Sequence, residues 1–167
     1  MSGKATRGSI ELSTRMLRTL RAPYSYAFLV ASNLEMWAEF DAGWRRFGGS
    51  VLVAIFMVLQ TIFVIMLLRH LGADFLEGRS NPPFWIMLVS AFALAWLISG
   101  SSAKNGESLA VGHDGKWATI LAIYLIPGVG FGLTLLWKQY LPFAVVHAVI
   151  IGFLYFSYGK YVVRRLG

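Results

Sequence analysis

Four long stretches of this chain contain no Asp, Glu, Lys or Arg: 47–68, 80–103, 117–137 and 139–159, of 22, 24, 21 and 21 residues. About 20 helical residues cross a hydrocarbon core of about 30 Å, so each stretch is long enough to span one. Without water to bond the backbone, only helices or closed barrels survive there. Barrel strands would alternate polar and apolar residues over about ten positions, whereas these runs are apolar on every face. The expected fold class is therefore all-α, a polytopic membrane protein with four transmembrane helices in a domain over 47–163. An N-terminal amphipathic and interfacial region precedes it over 1–46. At 57% apolar, 14% charged and a mean hydropathy of +0.62, the composition excludes a soluble globular domain and a disordered chain. The absence of cysteine excludes disulfide frameworks and thiol chemistry.

Orientation follows from the 15 basic residues: seven precede the first span, two lie in 69–79, two in 104–116, one is Lys138, and three follow the last span. Four crossings put both termini and the 104–116 loop on one side, with 12 Lys/Arg against 3 on the other. The positive-inside rule makes that side cytoplasmic, so the expected location is the cytoplasmic membrane with both termini inside the cell. The net charge of +7 then faces anionic lipid headgroups. Nucleic acid is not an expected partner, since no binding motif accompanies the basic residues.

Ahead of the first span, Leu12, Met16, Leu17 and Leu20 share one face of a helix while Arg15, Arg18 and Arg21 repeat on the other, the pattern of a helix lying on a membrane surface. Arg45 and Arg46 extend the membrane-surface set. The uncharged run Ala22 to Leu34 is too short to cross and is followed by Glu35, Glu39 and Asp41. It reads as an interfacial or re-entrant segment over 22–42, with Tyr24, Tyr26 and Trp37 at headgroup depth.

Within the spans the one ionisable residue is His147, about 12 Å from the start of the fourth span at about 1.5 Å per residue. It reads either as a neutral histidine bonded to a neighbouring helix or as a proton acceptor or substrate contact, with Gln60 its partner by depth. Small residues recur at helical spacing: Ala91, Ala95, Ser99 and Ala103 in span two, Gly128 and Gly132 in span three, Ala144, Ala148 and Gly152 in span four. Such stripes admit close helix contact. Pro127, among Gly128, Gly130 and Gly132, predicts a kink near mid-span, for packing or as a hinge.

Hydrolase, zinc-protease and phosphate-loop motifs are absent, and His70, His113 and His147 stand far apart, so no catalytic residue, cofactor or metal site is assigned. His113 and Asp114 are adjacent in a glycine-rich loop, a weak acid–base pattern for which solvent exposure is the simpler reading. An enzyme is not expected.

The run Arg46-Phe47-Gly48-Gly49-Ser50-Val51-Leu52 resembles the motif at the start of the membrane domain in polysaccharide-export ABC-2 permeases. Gln60 falls where that family often has a glutamate, and the spacing to the apolar block 83–103 is similar. The resemblance covers 46–103 and implies a membrane subunit that passes a glycan outward, driven by a separate nucleotide-binding partner, with 22–42 as the coupling region. The chain departs from the family in Val53-Ala54-Ile55-Phe56, in Gln60-Thr61, and in having four spans rather than six.

Two functional expectations result. The first is a non-catalytic integral subunit or accessory protein of a cytoplasmic-membrane complex, partnered by other membrane proteins or by itself through the small-residue faces. The alternative is a small transporter or half-length ABC-2-like export permease using His147, Gln60 and the Pro127 kink.

Overall fold

The computed structural model describes residues 3–72, 84–110 and 112–165, with side chains from Met16 onward except those of Arg18, Phe84 and His113. Helix α1 covers Gly3–Ser32 and is followed by a single 3-10 turn, Glu35–Trp37. Then come α2 (Ala42–His70), α3 (Phe84–Lys104), strand β1 (Glu107–Leu109) and α4 (His113–Ile120). A wide π turn, Leu121–Leu125, leads into α5 (Ile126–Trp137), α6 (Tyr140–Tyr161) and strand β2 (Val162–Arg164). Four helical segments are long and apolar enough to cross a membrane: Ala42–His70, Trp85–Lys104, Asp114–Trp137 and Tyr140–Tyr161. They coincide with the four charge-free stretches; the start of the second, 80–83, lies outside the described residues. The all-α membrane class is thus what the chain adopts, with one short antiparallel ladder added.

That ladder pairs Glu107 with Arg164, Ser108 with Val163 and Leu109 with Val162. It brings the loop after α3 and the chain end after α6 to the same end of the bundle, as an even number of crossings requires. Asp41 starts α2 by accepting the Trp44 N–H at 2.9 Å, which satisfies one of the free donors of the first helical turn.

The largest departure from expectation concerns residues 22–34. The second half of α1 is the most enclosed stretch among the described residues: Tyr26 is 1% exposed and Ala27, Val30 and Ala31 are fully buried. It packs against α2, α3, α4 and α6. Its core partners are Val53, Phe56 and Met57 of α2, Ala91, Ala95 and Ile98 of α3, Ile123 of the π turn, and Ile150 and Leu154 of α6. Tyr24 and Tyr26 thus face the interior of the bundle, Tyr26 against Thr119 and Tyr161. About 20 residues are needed only to cross lipid; a shorter apolar run can be buried once protein surrounds it, because its backbone bonds are already internal. Ahead of this buried half, Met16, Leu17 and Leu20 stay exposed.

Small-residue stripes divide into two kinds. Ala91, Ala95 and Ser99 are buried, so the span-two stripe is a packed face. Gly128 and Ala148 are exposed, Ala144, Gly132 and Gly152 half-buried, and a methyl group added at Gly128, Gly132 or Gly152 would meet nothing within 4 Å. Gly128, Gly132 and Gly152 thus make no close helix contact within this chain. The inward face of α6 is instead Phe143, His147, Ile150, Leu154 and Ser157. Between α5 and α6 the close approach falls at Gly130, whose added methyl carbon would lie 2.0 Å from Phe143 Cε2.

Candidate functional site

Two groups of polar side chains are enclosed by the bundle. The first lies at the end where α1, α3, β1 and α6 converge. Arg21 is the residue just ahead of the uncharged run in α1, and burying that run carries its guanidinium inward. A buried cation is costly unless it is paired and hydrogen-bonded. Arg21 Nη2 donates to Glu107 Oε1 at 2.7 Å, with the two side chains 22% and 0% exposed. Arg21 Nε donates to Ser25 Oγ at 3.0 Å, and Nη1 to Ser101 Oγ. The same Glu107 Oε1 accepts from the Tyr158 hydroxyl at 3.1 Å and from Asn105 Nδ2 at 3.1 Å. Arg164 Nη2 donates to the Tyr158 oxygen at 3.3 Å, and Ser102 Oγ donates to Ser25 Oγ at 3.4 Å. Glu107 Oε2 is buried without a partner.

The ladder explains how Glu107 reaches this position. Pairing with Arg164 holds β1 against the end of α6, so a loop carboxylate is fixed beneath Tyr158. Among the described residues no three His, Asp or Glu side chains gather as a metal site. Glu107 Oε1 ties α1 and α6 to β1, and Arg21 extends the tie to α3 through Ser101.

Beside it, Arg46 Nε donates to Ser99 Oγ at 2.7 Å and its guanidinium lies 4.0 Å from the Trp96 ring centroid. Arg45 Nε donates to the Phe40 carbonyl at 2.9 Å, closing the turn before α2. Of the five arginines read as membrane-surface residues, Arg21, Arg45 and Arg46 also bond within the protein. The side chains of Arg15 and Arg18 lie outside the described residues.

The second group lies in the spans. Tyr24 donates its hydroxyl to Gln60 Oε1 at 2.9 Å, so the polar atom of α2 is paired with α1 and not with His147. His147 Nδ1 lies 3.1 Å from the Phe143 carbonyl, and its ring stacks on Phe63 at 4.5 Å with an 8° interplanar angle. Its Nε2 is buried and unpartnered. The expected His147–Gln60 pair does not form, because the buried half of α1 places Tyr24 against Gln60. Tyr124 Oη is also buried without a partner, and Phe56 lies against both Tyr24 and Tyr124 at centroid distances of 6.2 and 6.4 Å.

Pro127 is buried, and the disturbance expected of it falls one turn earlier. The Ile126 N–H reaches back five residues to the Leu121 carbonyl. Proline lacks the N–H that would bond the carbonyl of residue 123, and widening the preceding turn is one way a helix absorbs that loss.

Sequence reasoning missed Glu107, Ser25 and Ser101 as partners of Arg21, and Tyr158 as a partner of Glu107. One signal was available: Glu107 is one of two acidic residues, with Asp114, in the 104–116 loop, which the crossing count puts at the same end of the bundle as Arg21. No protein-family model, curated protein or solved structure matches the chain.

Proposed function

We propose that this protein is a non-catalytic integral subunit or accessory protein of a membrane assembly, held in the cytoplasmic membrane with both chain ends on the cytoplasmic side. The observation that carries this reading is the distribution of contacts around α5 and α6. The intramembrane polar atoms with partners find them inside the chain, whereas the small-residue faces at Gly128, Gly132 and Gly152 meet open space. Helix association in lipid relies on such faces, since apolar side chains alone give no preference for protein over acyl chains. The basic N-terminal half of α1, with Met16, Leu17 and Leu20 exposed, suits an anionic membrane surface beside that partner.

The experiment is photocrosslinking in native membranes from positions 128, 132 and 148, followed by purification in mild detergent. The expected result is a discrete adduct with another membrane polypeptide or a second copy, lost when Gly128 and Gly132 are replaced by leucine. Recovery of an uncrosslinked, inert monomer overturns the reading.

A second reading, a small transporter or ABC-2-like export permease, is favoured by the wide turn before Pro127 together with the unpartnered Tyr124 hydroxyl and His147 Nε2. Interrupted helices in transporters line substrate paths. On this reading His147→Gln abolishes a pH-dependent flux in reconstituted vesicles, and unchanged flux eliminates the relay.

A further inference from the structure

A groove of about 450 Å³ runs between α5 and α6, lined by residues that include Leu125, Val129, Leu133, Phe143 and Val146. Its polar lining residues are Thr134 and Gln139, and the Thr134 hydroxyl is turned to the Gln139 carbonyl at 3.4 Å. A water molecule needs two to four polar partners to be held in a cavity, and apolar cavities stay dry or take apolar guests. The lining stretch Leu125–Thr134 is nine helical steps, about 14 Å of depth at about 1.5 Å per residue. Because these residues belong to the spans, the medium at the groove is acyl chain.

One end of the groove carries a charge. Lys138, next to the lining residue Gln139, is the sole charged residue between Trp117 and Gly159. It has φ 52°, and no other described non-glycine residue has positive φ. That conformation costs a side-chain-bearing residue roughly 1 kcal/mol and is commonly left to Gly or Asn at the end of a helix. The backbone gains nothing from a lysine in this conformation, which leaves its ammonium group as the part to account for. The described carboxylates Glu35, Glu39, Asp41, Glu107 and Asp114 belong to elements meeting at the opposite end of the bundle. Exposed Trp137 and the Tyr140 ring, stacked on His70 at 4.4 Å, flank Lys138. Aromatic residues of this kind settle at headgroup level, which sets the ammonium at phosphate depth with the groove leading inward from it.

We propose that the α5–α6 hairpin binds one anionic phospholipid, its phosphate on Lys138 and one acyl chain along the groove to Leu125. The test is native mass spectrometry of the full chain, delipidated in detergent and offered phosphatidylglycerol or phosphatidylcholine of the same chain length. Wild-type protein retains one phosphatidylglycerol in preference to phosphatidylcholine. Lys138→Gly, which suits the backbone conformation and keeps the fold, lowers that preference about fivefold, the effect of one basic side chain near an anionic surface. Val129→Trp, which fills the groove, reduces retention of both lipids while the thermal midpoint stays within a few degrees of wild type. An unchanged lipid ratio in Lys138→Gly overturns the assignment. So does unchanged retention in Val129→Trp, or in Val146→Phe should the first variant not fold. Loss of a dimer species with lipid retention unaltered would give the groove to a second copy and overturn it as well.

Discussion

Replacing Gly130 by alanine sets a methyl carbon 2.0 Å from Phe143 Cε2, 2.4 Å from Cδ2 and 2.7 Å from Cζ. Carbon atoms in contact prefer about 3.5–4.0 Å, so the ring has to retreat by roughly 1.5 Å. It has little room to do so: Phe143 is buried, its ring meets Phe63 edge-on at 4.7 Å and His147 at 4.3 Å, and that histidine is itself stacked on Phe63. Overpacking of this sort costs about 1–3 kcal/mol, offset by up to about 1 kcal/mol from the better helix propensity of alanine. The expected net loss for Gly130→Ala is about 1–2 kcal/mol, a fall of about 2–8 °C in Tm for a chain of this length. Gly128→Ala and Gly132→Ala have no clash to meet and are expected to leave the purified monomer unchanged or slightly more stable. The assay is thermal unfolding of the three variants side by side in one detergent, followed by far-UV circular dichroism. Equal stability of Gly130→Ala and wild type, or a loss confined to Gly128→Ala and Gly132→Ala, would refute the packing argument.

Three further outcomes test the interior. Glu107→Ala strands the Arg21 guanidinium and removes the acceptor of Tyr158 and Asn105; breaking a largely buried pair from one side costs about 3 kcal/mol. The double variant Arg21→Met, Glu107→Leu is expected to recover part of that in a denaturation cycle, and strict additivity would count against a coupled pair. Tyr24→Phe leaves Gln60 Oε1 without its 2.9 Å donor and is expected to lower stability by about 1 kcal/mol, with no further loss when Gln60→Leu is added. Lys138→Gly, relieved of its positive φ, is expected to raise Tm by about 2–4 °C in lipid-free detergent; a lower Tm would mean that the ammonium is held by the protein itself.

The arrangement at Glu107 illustrates how far sequence reading reaches. The even crossing number placed the 104–116 loop and the chain end on one side, and the Glu107–Arg164 ladder lies at such a shared end. Nothing in that count says that a loop carboxylate turns inward, because the inward turn depends on Arg21 arriving from α1. His147 was legible as an isolated polar group, while its neighbours Phe63 and Phe143 were hidden among many aromatic residues of equal hydropathy.

Where the chain can meet lipid was settled by the sequence alone, because the cost of a charge in hydrocarbon belongs to each residue separately and adds along a run of about 20. Which faces meet was decided by the tertiary structure. A helix apolar all round carries no moment to orient it, so its rotation is set by shape: by Gly130 admitting Phe143, by Tyr24 finding Gln60, and by α1 filling the space among α2, α3, α4 and α6. These are relations between residues far apart in the chain, and they exist only once the helices have packed.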